Sequence, residues 1–439
     1  MQKLHCHLLI FSLTVLGFYS GGIAREKAQV FRGALIYTIA GEPLENGAMV
    51  VEQGKISAVG SSGQIQTPPE AEEHDLTGKV LMPGLVDTHS HIGGGDGGDN
   101  SAALHPEVRI LDAIDVHNDT FKKARAGGIT TVNVMPGSGY LMSGQTVYLK
   151  LREGRAIYDL LVCRDAETDV CGGMKMANGT NSLRKNPPFP GTRAKSAALV
   201  RQLYVKAQEY QKKIAAAKND PDKMPARDLQ MEALVEVLEG RRIVHYHTHR
   251  HDDILTVLRL AQEFGFRVVL HHVSEGWKVA GEIAAAKAPC SIIVIDSPGG
   301  KLEAVNLLAK TGGILEKAGV DVAFHTDDGI TDSRLFLRSA AFGVREGMSR
   351  AKALEALTLA GARMLDLQER IGSLEKGKDA DFIILSGDPF SVYTHVEQTW
   401  VEGNLVFDRS NPEHRKYAVG GYEVFRGQAH YHDHQGEIE

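Results

Sequence analysis

Short runs of β-forming residues lie at both ends of the chain and set those ends apart from the middle. The runs are rich in Val, Ile, Thr and aromatic residues and are separated by Gly, Pro, Glu and Asn. They lie at 33–38, 47–51, 55–59, 379–385 and 398–407. We expect residues 25–80 and 371–425 to assemble one small β-sandwich from the two ends.

The middle of the chain, residues 81–370, alternates short apolar runs with helical segments. Val- and Ile-rich runs at 130–134 and 267–270 predict strands, and the composition of 254–264 and 276–286 predicts helices. The longest predicted helices span 192–218 and 228–239. Strands that alternate with helices predict a parallel sheet with crossover helices, which is an α/β fold.

The first residues have the layout of a secretory signal. A weakly positive start precedes an apolar run at 8–19, and small residues at 20–24 follow before Arg25. A membrane anchor is the alternative, but it needs about 20 apolar residues. We therefore expect a signal peptide at 1–24, an exported protein that is periplasmic or secreted, and no membrane span after cleavage.

The composition favours a globular protein with a sizeable core, because 43% of the residues are hydrophobic and 24% are charged. A formal net charge of -6 and the lack of a long basic run argue against nucleic acid and anionic membranes as partners. The expected partner is a small-molecule substrate, and the sequence does not decide whether the chain forms a homo-oligomer. The segment 426–439, which carries His430, His432 and His434, is expected to be a disordered tail able to bind metal adventitiously.

Cysteine is sparse in this chain. Loss of the signal removes Cys6 and leaves Cys163, Cys171 and Cys290, an odd set that excludes a disulfide framework. Cys163 and Cys171 can pair in an oxidising compartment, but separate buried thiols are the expectation that we favour.

The segment 82–91 carries the first chemical signal. Its apolar strand ends in His89 and His91, and alternation along a strand points both imidazoles to the same side. Neutral imidazole binds zinc and similar divalent ions. An HxH pair alone is as often structural as metal-binding, whereas Gly-Leu-Val-Asp-x-His-x-His after a strand is a much more specific signal.

This segment resembles the first-strand signature of the amidohydrolase superfamily, and the phrases at 127–132 and 371–381 resemble that superfamily as well. The resemblance implies a (β/α)₈ TIM barrel that binds one or two metals at its C-terminal mouth, with further ligands at the ends of strands four, five, six and eight. The 240 positions between Asp87 and Asp327 correspond to about 34 for each of seven βα units, which suits such a barrel.

Strands five and six each end in several histidines. His245, His247 and His249 share one face by alternation, and the resemblance favours His247 as the ligand. His271 and His272 are adjacent, so we expect them to point to opposite faces of the strand. His272 matches the family's pattern better than His271.

Strand eight ends in a pair of carboxylates. Asp327 resembles the family's last metal-bound aspartate, which also takes the proton from the attacking water. Asp328 is expected to be a helix-cap or loop residue.

Lys175 is the candidate ligand in strand four. The segment 172–179 resembles a stretch of dipeptidase-like and imidazolonepropionase-like relatives, in which a lysine carboxylated on its amine bridges two metals. Burial near cations favours the neutral amine, which captures carbon dioxide. A lysine that binds phosphate or carboxylate is the alternative, and Cys171 is a less favoured bridging ligand.

The resemblance implies a metal-dependent amidohydrolase that uses metal-activated hydroxide on a carbon–nitrogen bond of an N-acyl amino acid, dipeptide or cyclic amide. In this hypothesis two zinc ions bind per chain. Asp327 and His272 are the catalytic residues, and the metal ligands are His89, His91, Lys175, His247, His272 and Asp327.

Two other hypotheses stay open. If Lys175 is not carboxylated, one metal is held by His89, His91, His247 and Asp327 while His272 polarises the substrate, as in a deaminase or an imidazolonepropionase-like cyclic-amidine hydrolase. A non-catalytic barrel is the third hypothesis, and the retained histidines and aspartate argue against it.

Substrate-binding residues are not identified by the sequence. Specificity is expected to come from the strand–helix loops at 93–104, 136–144 and 178–193. Arg184 and Arg193 are candidates for pairing with a substrate carboxylate, and solvated loop arginines are the alternative.

Overall fold

The structure is a computed structural model that describes residues 27–95, 97–218, 220–294 and 302–420. The expected signal peptide at 1–24 and the expected tail at 426–439 lie outside the described residues.

The strands of the described residues follow in chain order. They are β1 Gln29–Ile36, β2 Leu44–Glu52, β3 Lys55–Ser61, β4 Glu72–Asp75, β5 Val80–Pro83, β6 Leu85–Ser90, β7 Ile129–Val134, β8 Met142–Gln145, β9 Val147–Lys150, β10 Met174–Ala177, β11 Val244–Thr248, β12 Val268–His272, β13 Cys290–Ile292, β14 Val322–Phe324, β15 Phe382–Leu385, β16 Val396–Val401 and β17 Asn404–Asp408.

The α-helices of the described residues lie between and after these strands. They are α1 Asp119–Ala126, α2 Ile157–Leu160, α3 Arg193–Ala217, α4 Leu229–Leu238, α5 His251–Phe264, α6 Ala280–Ala285, α7 Thr311–Lys317, α8 Arg338–Arg345, α9 Arg350–Ala356, α10 Leu359–Met364 and α11 Pro412–Val419. Among the described residues, none of the helices combines the length and the apolar character needed to cross a membrane.

Both ends of the chain contribute to one sheet. Its order is β17-β16-β15-β5-β1-β2-β3, and β4 pairs with β1. Phe382 stacks on Trp400 with ring centroids 5.5 Å apart, and Phe31 meets Phe382 edge-on at 4.8 Å. Such aromatic pairs add about 0.5–1.5 kcal/mol beyond the area that they bury. The strand pairing thus joins the two ends as expected, but it does not establish a two-layer sandwich.

The central strands form two further sheets. One has the order β14-β13-β12-β11-β10-β8 and the other the order β6-β7-β9. Strands β10 to β14 run parallel, whereas β8 is antiparallel to β10 and β9 is antiparallel to β7. The predicted α/β class is confirmed, but the strand ladders of the described residues do not close a barrel.

Helix α5 illustrates why the crossover segments are helical. Ile254, Val257, Leu260 and Phe264 are buried, and their spacing of three or four residues puts them on one face. Burying each of these side chains stabilises the fold by about 1.5–3 kcal/mol. The helix ends where Gly265 takes a left-handed conformation with φ of 74°.

A buried ion cluster joins the central and terminal sheets. Lys150, the last residue of β9, donates to Asp379 at 2.8 Å and to Asp381 at 2.5 Å. All three side chains are at most 2% exposed. The closing strands of the terminal sheet are therefore tied to the central strands by charge as well as by apolar packing.

Cys163 and Cys171 form a disulfide, with Cα atoms 5.2 Å apart. The expectation of two separate buried thiols was wrong, because the turn between them brings the two residues within bonding distance. Cys290, in β13, is a buried free thiol.

Candidate metal centre

The parallel strands bring the candidate ligands to one edge of the central strands, since the carboxyl ends of parallel strands lie on the same side. His89 lies in β6, Lys175 in β10, His247 in β11 and His272 at the end of β12. His91 follows β6 by one residue, and Asp327 follows β14 by three.

Two of these residues, His89 and His91, converge on one carboxylate oxygen of Asp327. Nε2 of His91 lies 2.9 Å from Oδ1 of Asp327, and Nε2 of His89 lies 3.3 Å from the same oxygen. Nζ of Lys175 lies 3.1 Å from Nε2 of His89, in a fully buried environment. The structure therefore brings His89, His91, Asp327 and Lys175 together.

The hydrogen bond of His91 shows whether these four residues are suited to bind a cation. Nδ1 of His91 lies 2.8 Å from the carbonyl oxygen of Met135, which only accepts, so Nδ1 donates. In the neutral ring Nε2 then carries a lone pair that faces the Asp327 carboxylate. Two lone pairs at this separation repel unless a proton or a cation lies between them, and a histidine oriented by a carbonyl is typical of metal sites. These residues fit a divalent cation.

Burial also keeps His89 in the form that binds metals. Desolvation, followed by the nearby Lys175 and the neighbouring histidines, holds the pKa of His89 well below its ordinary value of 6.5. The ring is therefore neutral at physiological pH and offers a lone pair to a cation.

Asp87 fixes the relative positions of His89 and Asp327. Its buried carboxylate accepts the backbone N–H of His89 at 3.2 Å, the backbone N–H of Thr326 at 3.1 Å and the hydroxyl of Thr326 at 2.5 Å. The N–H of Asp327 in turn donates to the carbonyl of His89 at 2.9 Å. The ends of β6 and β14 are thus held together where the two central sheets meet.

Asp328 lies in the loop after β14, as expected. Its buried carboxylate accepts from Nζ of Lys123 at 2.9 Å and from the backbone N–H of Ser333 at 3.3 Å. These contacts anchor the loop that carries Asp327.

His271 and His272 do not point to opposite faces, and that expectation was wrong. The ring centroids of both lie 5.0 Å from that of His89. His272 has a φ of 68°, in the left-handed region, so the chain leaves the extended conformation there and alternation no longer sets the direction of its side chain.

The three histidines of β11 and its end take different places. His245 hydrogen-bonds to the hydroxyl of Tyr148 at 3.0 Å and to Nε2 of His271 at 2.9 Å. His247 instead lies beside His272, with ring centroids 4.4 Å apart, and beside His249 at 4.6 Å. His245 therefore belongs to a buried polar chain, while His247 and His249 face the group of candidate ligands.

His325 is a site residue that the sequence reasoning missed. Ligand nitrogens of His89, His272 and His325 lie within 4.8 Å of one another, and Ser291 orients His325 through a hydrogen bond of 2.7 Å to Nδ1. Burial lowers the pKa of His325 to about 3. The signal was present, because His325 directly follows β14 and lies two residues before Asp327.

Glu303 was also missed, and no pattern in its segment pointed to it. It lies in a short 3₁₀ turn, Leu302–Ala304, and its carboxylate lies within 4.8 Å of ligand nitrogens of His247 and His249.

The two candidate arginines bind acceptors of the protein. Nε of Arg193 lies 2.9 Å from Asp253, and Arg184 donates to the carbonyl oxygen of Asn181 at 2.6 Å. Both guanidinium groups therefore help to shape the loop at 178–193.

An α/β fold with histidines and an aspartate grouped at the carboxyl ends of parallel strands is typical of metal-binding enzymes. The sequence profile of the amidohydrolase family matches residues 80–407. The chain belongs to the amidohydrolase family, and its enzyme relatives identify it as a hydrolase that acts on carbon–nitrogen bonds.

Three similar proteins illustrate the relationship. The amidohydrolase tasK of Hapsidospora irregularis is 25% identical over 87% of this chain, which spans 43% of that protein's length. The imidazolonepropionase of Fusobacterium nucleatum subsp. nucleatum is 24% identical over 83% of this chain and 92% of its own length. The crystal structure of an amidohydrolase from Thermotoga maritima MSB8 is 34% identical, with a TM-score of 0.79 over 87% of this chain and all of that chain.

Proposed function

We propose that the chain is an exported zinc-dependent hydrolase that uses two cations to cleave an amide-type bond of an N-acyl amino acid, a dipeptide or a cyclic amide. The observation that carries the proposal is the pair of imidazoles, His89 and His91, facing one oxygen of Asp327. The disulfide between Cys163 and Cys171 supports export, because such bonds persist in oxidising compartments.

The fold in this proposal is a (β/α)₈ barrel made from the two central sheets, with a β-sandwich from the terminal segments. The backbone bond between Asp327 and His89 supports closure at the junction of β6 and β14. The short chain segment from β8 to β9, with only Thr146 between them, links the sheets on the other side.

When bound, divalent zinc supplies a more acidic water molecule and polarises a carbonyl oxygen. His89 and His91 hold the first ion together with Asp327. Lys175, if carboxylated on Nζ, would provide oxygen ligands for the cations, and His247 and His272 would hold the second ion. The full burial of Lys175 and its contact with His89 support this role.

Asp327 moves the proton in this proposal. Its Oδ1 faces the ligand histidines, so the same carboxylate is placed to accept a proton from the attacking water and to return it to the leaving nitrogen. In the one-cation alternative His272 instead polarises the substrate. Such positioned proton transfer contributes about 10²–10⁴-fold to the rate.

A single-cation deaminase or cyclic-amidine hydrolase is the second candidate, favoured by the similarity to an imidazolonepropionase. Its ligand set needs His247 beside His91 and Asp327. In the described residues, the donor atoms of His247 group instead with those of His249 and Glu303. This second group of ligand atoms supports two cations rather than one.

The test combines metal analysis with a substrate screen. Protein stripped by chelation and re-equilibrated with zinc is analysed for zinc per chain and assayed on N-acyl amino acids, dipeptides, cyclic amides and amino-heterocycles. Two equivalents with hydrolysis of an amide are expected. One equivalent with deamination or cyclic-amidine hydrolysis selects the second candidate, and no turnover of any substrate by the zinc-loaded protein contradicts both.

A further inference from the structure

A second group of metal-binding side chains lies beside the centre built on His89. Its members are His247 in β11, His249 just beyond it and Glu303 in the turn after β13. One ligand atom from each lies within 4.8 Å of the other two, and all three residues are buried. Two imidazoles and one carboxylate form a ligand set that zinc uses, with a fourth position left for water or substrate.

The orientation of His249 points to a ligand role. Nδ1 of His249 lies 2.7 Å from the hydroxyl of Ser274, and its backbone carbonyl accepts the N–H of Glu275 at 2.9 Å. When Nδ1 is the donor to Ser274, Nε2 carries the lone pair that a cation needs. A partner on the far ring nitrogen that fixes tautomer and ring direction is what ligand histidines have in metal sites.

A hydrogen bond and a close contact with a glycine position Glu303 beside these histidines. Its Oε2 accepts the backbone N–H of Thr180 at 2.6 Å, which holds the loop after β13 against the end of β10. A Cβ at Gly179 would lie 2.3 Å from Oε2, so this approach needs glycine, whose φ is 77°. The glutamate side chain is 1% exposed, and a buried carboxylate needs compensating positive charge.

Arg193 supplies positive charge beside Glu303. Its Nη2 lies 3.5 Å from Oε2 of Glu303, while its Nε is bound at 2.9 Å to Asp253. The guanidinium is therefore shared between two carboxylates.

We propose that His247, His249 and Glu303 hold the second divalent cation, so that the loop after β13 contributes a ligand to this site. The inference rests on the proposed two-cation function and replaces the pairing of His247 with His272 alone. Zinc bonds of about 2.0–2.1 Å place tetrahedral ligand atoms about 3.4 Å apart, so the present separations contract by about 1 Å on binding.

The experiment measures zinc per chain and zinc affinity by equilibrium titration, with activity set aside. The starting protein carries His430→Ala, His432→Ala and His434→Ala so that the tail does not contribute ions. Glu303→Gln keeps the size of the side chain and a carbonyl acceptor for Thr180, and it is expected to retain one equivalent and lose the other. Glu263→Gln, at an exposed site on α5, is the matched control and is expected to keep two equivalents.

Ser274→Ala provides a second variant, which leaves the three ligand residues in place and removes only the hydroxyl that orients His249. It is expected to weaken the second zinc equivalent by about 10–100-fold and to leave the first unchanged. If Glu303→Gln fails to fold by circular dichroism, Ser274→Ala decides: unchanged affinity for both equivalents overturns the inference.

The outcomes separate this inference from the proposed function. Two equivalents retained in Glu303→Gln overturn the inference while the two-cation hydrolase stands, and an accompanying rise in KM for amino-bearing substrates assigns Glu303 to an ammonium group instead. A starting protein that takes up a single equivalent overturns the inference and leaves the one-cation hydrolase.

Discussion

Asp327 is the residue on which the proposed chemistry depends most directly. Its Oδ1 meets the ring nitrogens of both His89 and His91, and its backbone N–H is bound to the carbonyl of His89. In the proposed function this one side chain serves as a ligand and as the proton carrier. These two roles predict a large effect from a substitution that barely changes shape.

Asp327→Asn is expected to lower kcat by about 10²–10⁴-fold, because an amide does not accept the proton at neutral pH. The fold is expected to persist, since the backbone bonds of residue 327 are unchanged. Steady-state kinetics of the zinc-loaded protein measure kcat, and circular dichroism checks the fold. Asp222→Asn, at an exposed site, is the control, and a kcat for Asp327→Asn within twofold of this control would remove Asp327 from the proton transfer.

The motif residues of the centre could be predicted because strand ends leave a clear sequence pattern. His89, His91 and Asp327 each follow an apolar strand, and the structure brings them together. The direction of the His272 side chain could not be predicted in this way, because its left-handed backbone conformation ends the alternation of side chains along the strand. Glu303 was beyond prediction, since its place depends on how a loop packs against Gly179, a contact that no local pattern records.

The long helices are the elements that the sequence defines best. The segments 192–218 and 228–239 predicted helices, and the structure has Arg193–Ala217 and Leu229–Leu238. Thr192 and Asp228 cap their first turns through side-chain oxygens, so the polar residue before each helix marks its start. Strands β8 and β9 were not predicted, and β8 overlaps the segment 136–144 that was expected to be a loop, because its residues Ser143, Gly144 and Gln145 show no alternation of apolar and polar positions.

The N-cap of α4 provides a test of whether the polar residue before a helix stabilises its first turn. The carboxylate of Asp228 accepts the backbone N–H of Gln230 at 3.0 Å and that of Met231 at 3.2 Å. Asp228→Ala is expected to lower the free energy of unfolding by about 1 kcal/mol, while Asp228→Asn, which still caps, is expected to change it much less. Urea unfolding measures both, and equal losses in the two variants would contradict the capping role.

The disulfide stabilises the turn that precedes β10. Its sequence separation is 8, and closing a loop of this size in the unfolded chain is worth about 2.5 kcal/mol. Replacing Cys163 and Cys171 together with Ser is expected to lower the free energy of unfolding by this amount. A reductant is expected to destabilise the wild type and to leave the double variant unchanged, and a wild type that is indifferent to reductant would contradict the stabilising role.

The junction between the central and terminal sheets depends on Lys150. Burial acts to raise the pKa of Asp379, but Lys150, Lys55 and Arg370 outweigh it and lower the pKa to about 2. Because this lies below the ordinary value of 3.8, the stabilising contribution of Asp379 is fully present above that value and is lost as the pH falls through about 2. At Asp381 burial prevails and the pKa is raised, although Lys150 opposes the shift.

Lys150→Met removes the shared cation and leaves the Asp379 and Asp381 carboxylates buried without it. The free energy of unfolding at about pH 7 is expected to fall by about 3–5 kcal/mol, the usual effect of removing one partner from a buried ion pair. Without the Lys150 cation the pKa of Asp381 rises further, so more of the Asp381 side chain is protonated in the folded variant at acid pH. A protonated carboxyl is less costly to bury, and the loss of unfolding free energy is therefore expected to be smaller at about pH 4.5 than at about pH 7. Urea unfolding at the two pH values measures this difference, with Lys416→Met, at an exposed pair, as a control that shows no measurable change. An equal loss of unfolding free energy at both pH values would mean that the packing of the Lys150 side chain, rather than its interaction with the two buried carboxylates, holds the sheets together.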